Sequence, residues 1–230
     1  MKRIGLIGGM SWESTAVYYR RLNELARERL GGQHSADIVM ISFDFAPIAA
    51  MQAAGAWDEA AEVMIEAARE LESAGADAVL ICANTMHRMA GEVAASIGIP
   101  LIHIADVTAA AIKHAGVKRP LLLATRFTME QRFYRGRLAD AGVVALIPNE
   151  AERAMLHAII YDELIQGRIE AASKAVFVAA VSRAVAEEGV DGAILGCTEF
   201  GLLVGPDDLP VSVFDTTDLH ARAAMDFALG

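Results

Sequence analysis

A thiol, a hydroxyl and a carboxylate stand side by side at Cys197-Thr198-Glu199, after the apolar run Ala193–Leu195. A cysteine closing a buried strand is either a small apolar filler of the core or a reactive group. Strand-end turns expose backbone N–H groups, and a thiol held near them is expected to have its pKa lowered toward neutrality. Such a thiolate is a usable general base or nucleophile. Cys197 is therefore the candidate catalytic residue, with the polar Thr198 and the candidate substrate contact Glu199 beside it.

About half a chain earlier lies a related segment. Gly75–Thr85 aligns without gaps to Gly189–Glu199, and the match sets Ala83 at the place of Cys197. Any two α/β units share part of this pattern, so it reads equally as a true repeat or as common strand composition. Asn84 and Thr85, next in the first copy, offer amide and hydroxyl donors suited to a carboxylate. Thr85 also suits the N-cap of a following helix. The two roles are compatible, because a capped helix N-terminus attracts anions. Cys82 precedes Ala83 by one residue. In an extended chain that shift turns its side chain to the other face, so Cys82 is not counted as a second reactive thiol.

Other polar residues carry weaker signals. Gly8-Gly9-Met10-Ser11 forms a strand-to-helix turn whose N–H groups could cradle an anion. It has neither the Gly-Lys-Ser/Thr ending of a nucleotide-binding loop nor the glycine spacing of a dinucleotide site, so no nucleotide cofactor is indicated. His87 lies near a helix start and reads as a surface or supporting group. Gln52 stands among Ala and Met, either as a ligand contact or as a solvated side chain; Asp44 is a neighbour after the same strand. His103 and His157 look structural. No Cys/His cluster has zinc spacing, and no metal is expected.

Elements that could position these residues follow from periodicity. Short apolar runs at Ile4–Ile7, Ile38–Ser42, Ala78–Ile81, Leu101–Ile104, Leu121–Ala124, Val143–Ile147, Ala193–Leu195 and Val211–Phe214 alternate with helical patterns, which predicts parallel α/β architecture. Ser11 or Ser14 caps a first helix that Gly31-Gly32 ends, Trp57–Ala74 is helical up to Gly75, and Thr128 caps a helix to about Ala141. The repeat predicts two pseudo-symmetric α/β domains, each a parallel sheet flanked by helices, with the active site in the cleft between their strand ends. The expected division is 1–99 plus 209–230 for the first domain and 100–208 for the second.

Composition narrows the class. The chain has 230 residues, 54% hydrophobic and 22% charged, with a net charge of −10. An acidic chain without a basic stripe is not a nucleic-acid binder. The N-terminus lacks a signal-peptide pattern and no apolar run reaches membrane-span length, so no membrane association and a cytoplasmic location with reduced thiols are expected.

The segments Ile4–Thr15, Asn84-Thr85-Met86-His87, Thr125–Glu130, Gly196-Cys197-Thr198-Glu199 and Val213–Thr216, in their order and over essentially the full length, resemble the aspartate/glutamate racemase superfamily, closest to its amino-acid racemase branch. The resemblance implies a homodimeric, cofactor-independent isomerase acting on an amino acid, without metal or pyridoxal phosphate. In the family, two Cys thiols flank the substrate Cα, one removing the proton and the other returning one to the opposite face. By position, Asn84, Thr85 and Thr198 bind the α-carboxylate, and Met10 and Gln52 fall in substrate loops; Ser11 and His87 are auxiliary candidates. The family's first catalytic Cys aligns with Ala83, so a bound water or His87 would have to supply that face. Basic residues that family members use for an acidic side chain are replaced by Ala53-Ala54 and Leu164-Ile165. The expected function is an aspartate/glutamate racemase with an incomplete Cys pair. A single-Cys decarboxylase or isomerase of a small carboxylic acid, or a non-catalytic carboxylate binder, are the alternatives.

Overall fold

The computed structural model describes residues 1–230. The chain divides into two compact units, residues 1–103 with 220–230, and residues 104–219. The first holds β1 (Ile4–Gly8), α1 (Trp12–Leu30), β2 (Ile38–Ser42), α2 (Phe45–Ala54), α3 (Trp57–Ser73), β3 (Ala78–Ile81) and α4 (Ala90–Ala95). The second holds α5 (Ile104–Ala115), β4 (Pro120–Leu123), α6 (Arg126–Glu130), α7 (Arg132–Asp140), α8 (Glu150–Asp162), α9 (Ala171–Glu188), β5 (Gly192–Leu195), α10 (Phe200–Leu203) and β6 (Ser212–Asp215). The closing helix α11 (Thr216–Leu229) runs from the second unit into the first.

Each unit is built on a three-stranded parallel sheet, ordered β2-β1-β3 in the first and β4-β5-β6 in the second. The expected strands at Leu101–Ile104 and Val143–Ile147 are reduced to single parallel bridges, Val79 to Leu101 and Leu121 to Leu146. Pro100 and Pro148 crowd these segments, and a helix takes over at Ile104. With the bridges included, both units share one order: second, first, third, fourth segment. Because β6 pairs with β5, the chain returns to the first unit at His220 and not at residue 209.

The central strands are buried along their whole length, as parallel strands covered on both faces must be. Helix α1 covers one face of the first sheet with Tyr18, Leu22, Leu25 and Ala26, at the spacing of one helical stripe. Helix α3 covers the other with Ala60, Met64, Ala67, Ala68 and Leu71. Ser11 caps α1 by accepting from the Ser14 N–H. The expected cap at Thr128 is instead made by Thr125, whose hydroxyl accepts the Thr128 N–H at 3.3 Å; the helix breaks at Gln131 before α7. No helix is long and apolar enough to cross a membrane.

Candidate active site

In the first unit the strand tips carry the polar turns. Gly9 has φ +84°, and a Cβ there would lie 2.3 Å from the backbone N and O of Phe43. Only glycine lets the end of β2 approach this turn so closely. The turn is partly self-satisfied: the Gly9 N–H donates to Thr15 Oγ1 at 2.8 Å and the Ser14 N–H to Ser11 Oγ at 3.5 Å. The Gly9 amide is therefore engaged within the turn, and the Ser11 hydroxyl caps the helix.

Strand parity decides the fate of the two candidate positions at residues 82 and 83. Ala78, Leu80 and Cys82 pack in the layer of α1 and α11, whereas Val79, Ile81 and Ala83 pack in the layer of α3. Alternation thus continues past the end of β3, and Cys82 faces away from Ala83. Cys82 is fully buried, and burial pushes its thiol up. Met10 and Met86 join Ala83 in the same layer. Gln52 is buried and not solvated, its Nε2 lying 3.1 Å from Met86 Sδ. Asn84 and Thr85 are buried at the start of a 3-10 turn, Thr85–Met89; the N-cap position falls on Asn84, which makes no side-chain capping bond, and not on Thr85 as expected.

His87 is buried and not on the surface. Its Nδ1 donates to the Ala83 carbonyl at 2.9 Å, folding the 3-10 turn back on residue 83. Its ring lies 4.7 Å from that of His103 and 5.7 Å from that of His220. His220 Nε2 donates to the Ile102 carbonyl at 2.7 Å, which leaves Nδ1 to accept from the Tyr18 hydroxyl at 2.9 Å. Burial lowers the His220 pKa to about 4, so it stays neutral at physiological pH.

In the second unit Ala193, Leu195 and Cys197 share one face of β5 and its extension, the same parity as Val79, Ile81 and Ala83. Gly196 is required because a Cβ there would meet Leu122 at 2.7 Å and Ala124 at 3.1 Å. Cys197 Sγ donates to Glu199 Oε2 at 2.9 Å, and Thr198 Oγ1 donates to the same oxygen at 2.9 Å. All three residues are buried, with Cys197 7% exposed.

This arrangement corrects the expectation of a lowered thiol pKa. Burial, then the negative Glu199 carboxylate and its hydrogen bond, push the Cys197 pKa well up; the Glu199 backbone N–H works the other way but is outweighed. The resting sulfur is a protonated donor. Burial raises the Tyr161 pKa, and so do the negative charges of Cys197 and Glu199 once both are ionised. Its ring lies 4.6 Å from that of His157, whose pKa is lowered by burial and by Arg126. Helix α8, which carries both, is fixed by a capping box between Asn149 and Glu152 and by Arg183 clamping the Glu152 carboxylate at 2.6 and 2.7 Å.

The model of the Asp/Glu/hydantoin racemase family matches residues 7–224. The chain belongs to this family. Among solved relatives of the racemase family, a protein from Yersinia pestis provisionally named an Asp/Glu racemase is similar over 100% of both chains, with 48% identity and a TM-score of 0.92. An aspartate racemase homologue from Pyrococcus horikoshii OT3 is similar over 100% of both chains, with 34% identity and a TM-score of 0.87. The broad specificity amino-acid racemase RacX of Bacillus subtilis (strain 168) is 26% identical over 60% of this chain and 61% of its own length, less than two thirds of that relative.

Sequence reasoning on this racemase-family chain read His157 as structural and singled out no role for Tyr161, which packs on it. Their spacing of four on α8 puts them on one helix face, but nothing in that spacing shows that ionisation of Cys197 and Glu199 is felt at Tyr161.

Proposed function

We propose that the protein is an amino-acid racemase, an isomerase that moves the Cα proton of aspartate or glutamate through Cys197 without a cofactor. The observation that carries this reading is the contact between Cys197 Sγ and Glu199 Oε2 at 2.9 Å, at the end of β5 in a chain of the racemase family.

A thiol held protonated is poised to return a proton. The S–H bond breaks as a C–H bond forms at a carbanionic Cα, leaving a thiolate. In the opposite sense the thiol proton first passes to the Glu199 carboxylate, and the thiolate then takes the α-proton while the electron pair moves toward the substrate carboxylate. Donors from Asn84, Thr85 and Thr198 stabilise the charge that builds there. Met10 and Gln52 serve as further substrate contacts. At Ala83, which has no proton to give, a bound water held by the turn or His87 takes the role of the second thiol. A homodimer and a cytoplasmic location belong to the same reading.

The test is incubation with each enantiomer of aspartate, glutamate and neutral amino acids, followed by chiral chromatography. Convergence of the L and D forms of one amino acid on the same mixture is expected; no conversion of any would overturn the reading. Turnover is expected to survive EDTA and aminooxyacetate, which remove metals and trap pyridoxal phosphate.

A second reading is favoured by the opposed facing of Cys82 and Ala83, which leaves Cys197 as the one thiol with the strand parity of Ala83. A single-thiol decarboxylase or isomerase would protonate a carbanion from one face only. Carbon dioxide release from malonate-type acids, without racemisation of any amino acid, would select it.

A further inference from the structure

The path of the chain gives two histidines a place that apolar packing does not explain. The chain leaves the first unit after His103 and re-enters it at His220. Both residues are buried, and both rings pack on that of a third buried histidine, His87, with centroids 4.7 and 5.7 Å away. The interplanar angle is 62° in each pair, an edge-on contact that fixes ring against ring.

The His220 ring is held at both nitrogens. Nε2 donates to the Ile102 carbonyl at 2.7 Å, and Nδ1 accepts from the Tyr18 hydroxyl at 2.9 Å. These bonds tie the point of re-entry to α1 and to the segment that leads out. That segment is itself anchored by the Ile102 N–H on the Val79 carbonyl at 3.0 Å. Turning the imidazole over would break both of its bonds in a buried place. An apolar side chain would fill the same space without fixing an orientation.

His87 passes this order to the turn beside it. Its Nδ1 reaches back four residues to the Ala83 carbonyl at 2.9 Å. A carbonyl only accepts, so the imidazole proton sits on Nδ1. Asn84 and Thr85 lie inside the loop that this bond closes.

We propose that His220 is a positioning residue: joined to Tyr18 and to Ile102, it fixes the His87 ring and thereby the Asn84-Thr85 turn. The inference rests on the racemase reading for what the turn does, which is to hold the substrate α-carboxylate. His220 acts through His87 and not on the substrate itself.

The test compares Tyr18→Phe, His220→Leu and His220→Gln with the wild type. Tyr18→Phe removes one hydroxyl and keeps its ring, so it serves where His220→Leu does not fold. The Gln side chain offers an amide donor and a carbonyl acceptor in place of the two ring nitrogens. The first readout is the His87 Nδ1 proton in 15N-labelled protein, assigned by its absence in His87→Gln. Its exchange with water is expected to be about 10-fold faster or more in Tyr18→Phe and His220→Leu than in the wild type, with His220→Gln between. Equal exchange in all of these proteins overturns the proposal. The second readout is the kinetics of Cα–H exchange in heavy water with the enantiomers of aspartate, glutamate and neutral amino acids. KM should rise about 10-fold in Tyr18→Phe with kcat changing less, and His220→Gln should keep more of the wild-type KM than His220→Leu. An unchanged KM, or a loss confined to kcat, overturns the proposal. Absence of exchange by the wild type overturns the racemase reading instead, and the His87 proton then decides the positioning role by itself.

Discussion

Cys197 and Glu199 share a hydrogen bond of 2.9 Å in which sulfur donates and carboxylate accepts. The acid is held as donor and the base as acceptor two residues apart, and burial keeps water from competing. Below its raised pKa the thiol stays protonated; above it the thiolate forms.

Glu199→Gln tests that pairing. Removing the negative charge takes away one cause of the raised Cys197 pKa, so alkylation of Cys197 should begin at lower pH than in the wild type. Cα–H exchange should fall at the same time, by about 100-fold, because the thiol loses its proton acceptor. A change in alkylation without a change in exchange would remove Glu199 from the proton path.

Ala83→Cys should raise the rate of racemisation by about 10-fold or more, since it installs a proton donor at the strand parity that Cys197 has in its own unit. Cys82→Ala should leave exchange unchanged, because that sulfur packs with Tyr18 and Leu22 in the opposite layer. Reversal of these two outcomes would show that the chain turns over after β3.

The buried His220 predicts an acid limb in stability. Its pKa is about 4 when folded and about 6.5 when unfolded, so the unfolded chain binds the extra proton between these values. The contribution is complete above pH ~6.5 and is lost as pH falls toward 4, by roughly 3 kcal/mol. Tyr18, the Ile102 carbonyl and the His87 and His103 rings face this imidazole and leave no carboxylate to compensate a charge. Urea melts across this range should show a flatter limb in His220→Gln than in the wild type.

Gly9→Ala should destabilise by about 3 kcal/mol or more, from a left-handed φ and a collision with Phe43 backbone. Gly31→Ala carries a φ of 75° with ψ −176°, a region essentially reserved to glycine, but meets nothing within 4 Å, so it should cost about 2 kcal/mol from backbone strain alone. Thermal melts of the two variants separate strain from collision.

Much of the first-order organisation was legible. The repeat of Gly75–Thr85 in Gly189–Glu199 pointed to two similar parallel sheets, and the shared parity of Ala83 and Cys197 bears this out. The apolar runs marked strands well where both faces are covered, as in β3 and β5. They overreached at Leu101 and Val143, where composition is strand-like but each segment makes a single bridge. The thiol pKa was misjudged for a related reason. Local sequence reveals nearby N–H groups, but burial and the reach of the Glu199 side chain emerge only in three dimensions. Tyr161, thirty-odd residues before the thiol in sequence, became visible only once α8 was anchored by the Glu152–Arg183 pair.

The most direct test is deuterium incorporation at Cα when wild-type protein and Cys197→Ala are incubated with L-aspartate, D-aspartate and both glutamates in heavy water, followed by mass spectrometry. At least one of these substrates should gain a single deuterium with the wild type and none with the variant. Equal incorporation in the two proteins, or none in either, would contradict the assignment of Cys197 as the group that moves the α-proton.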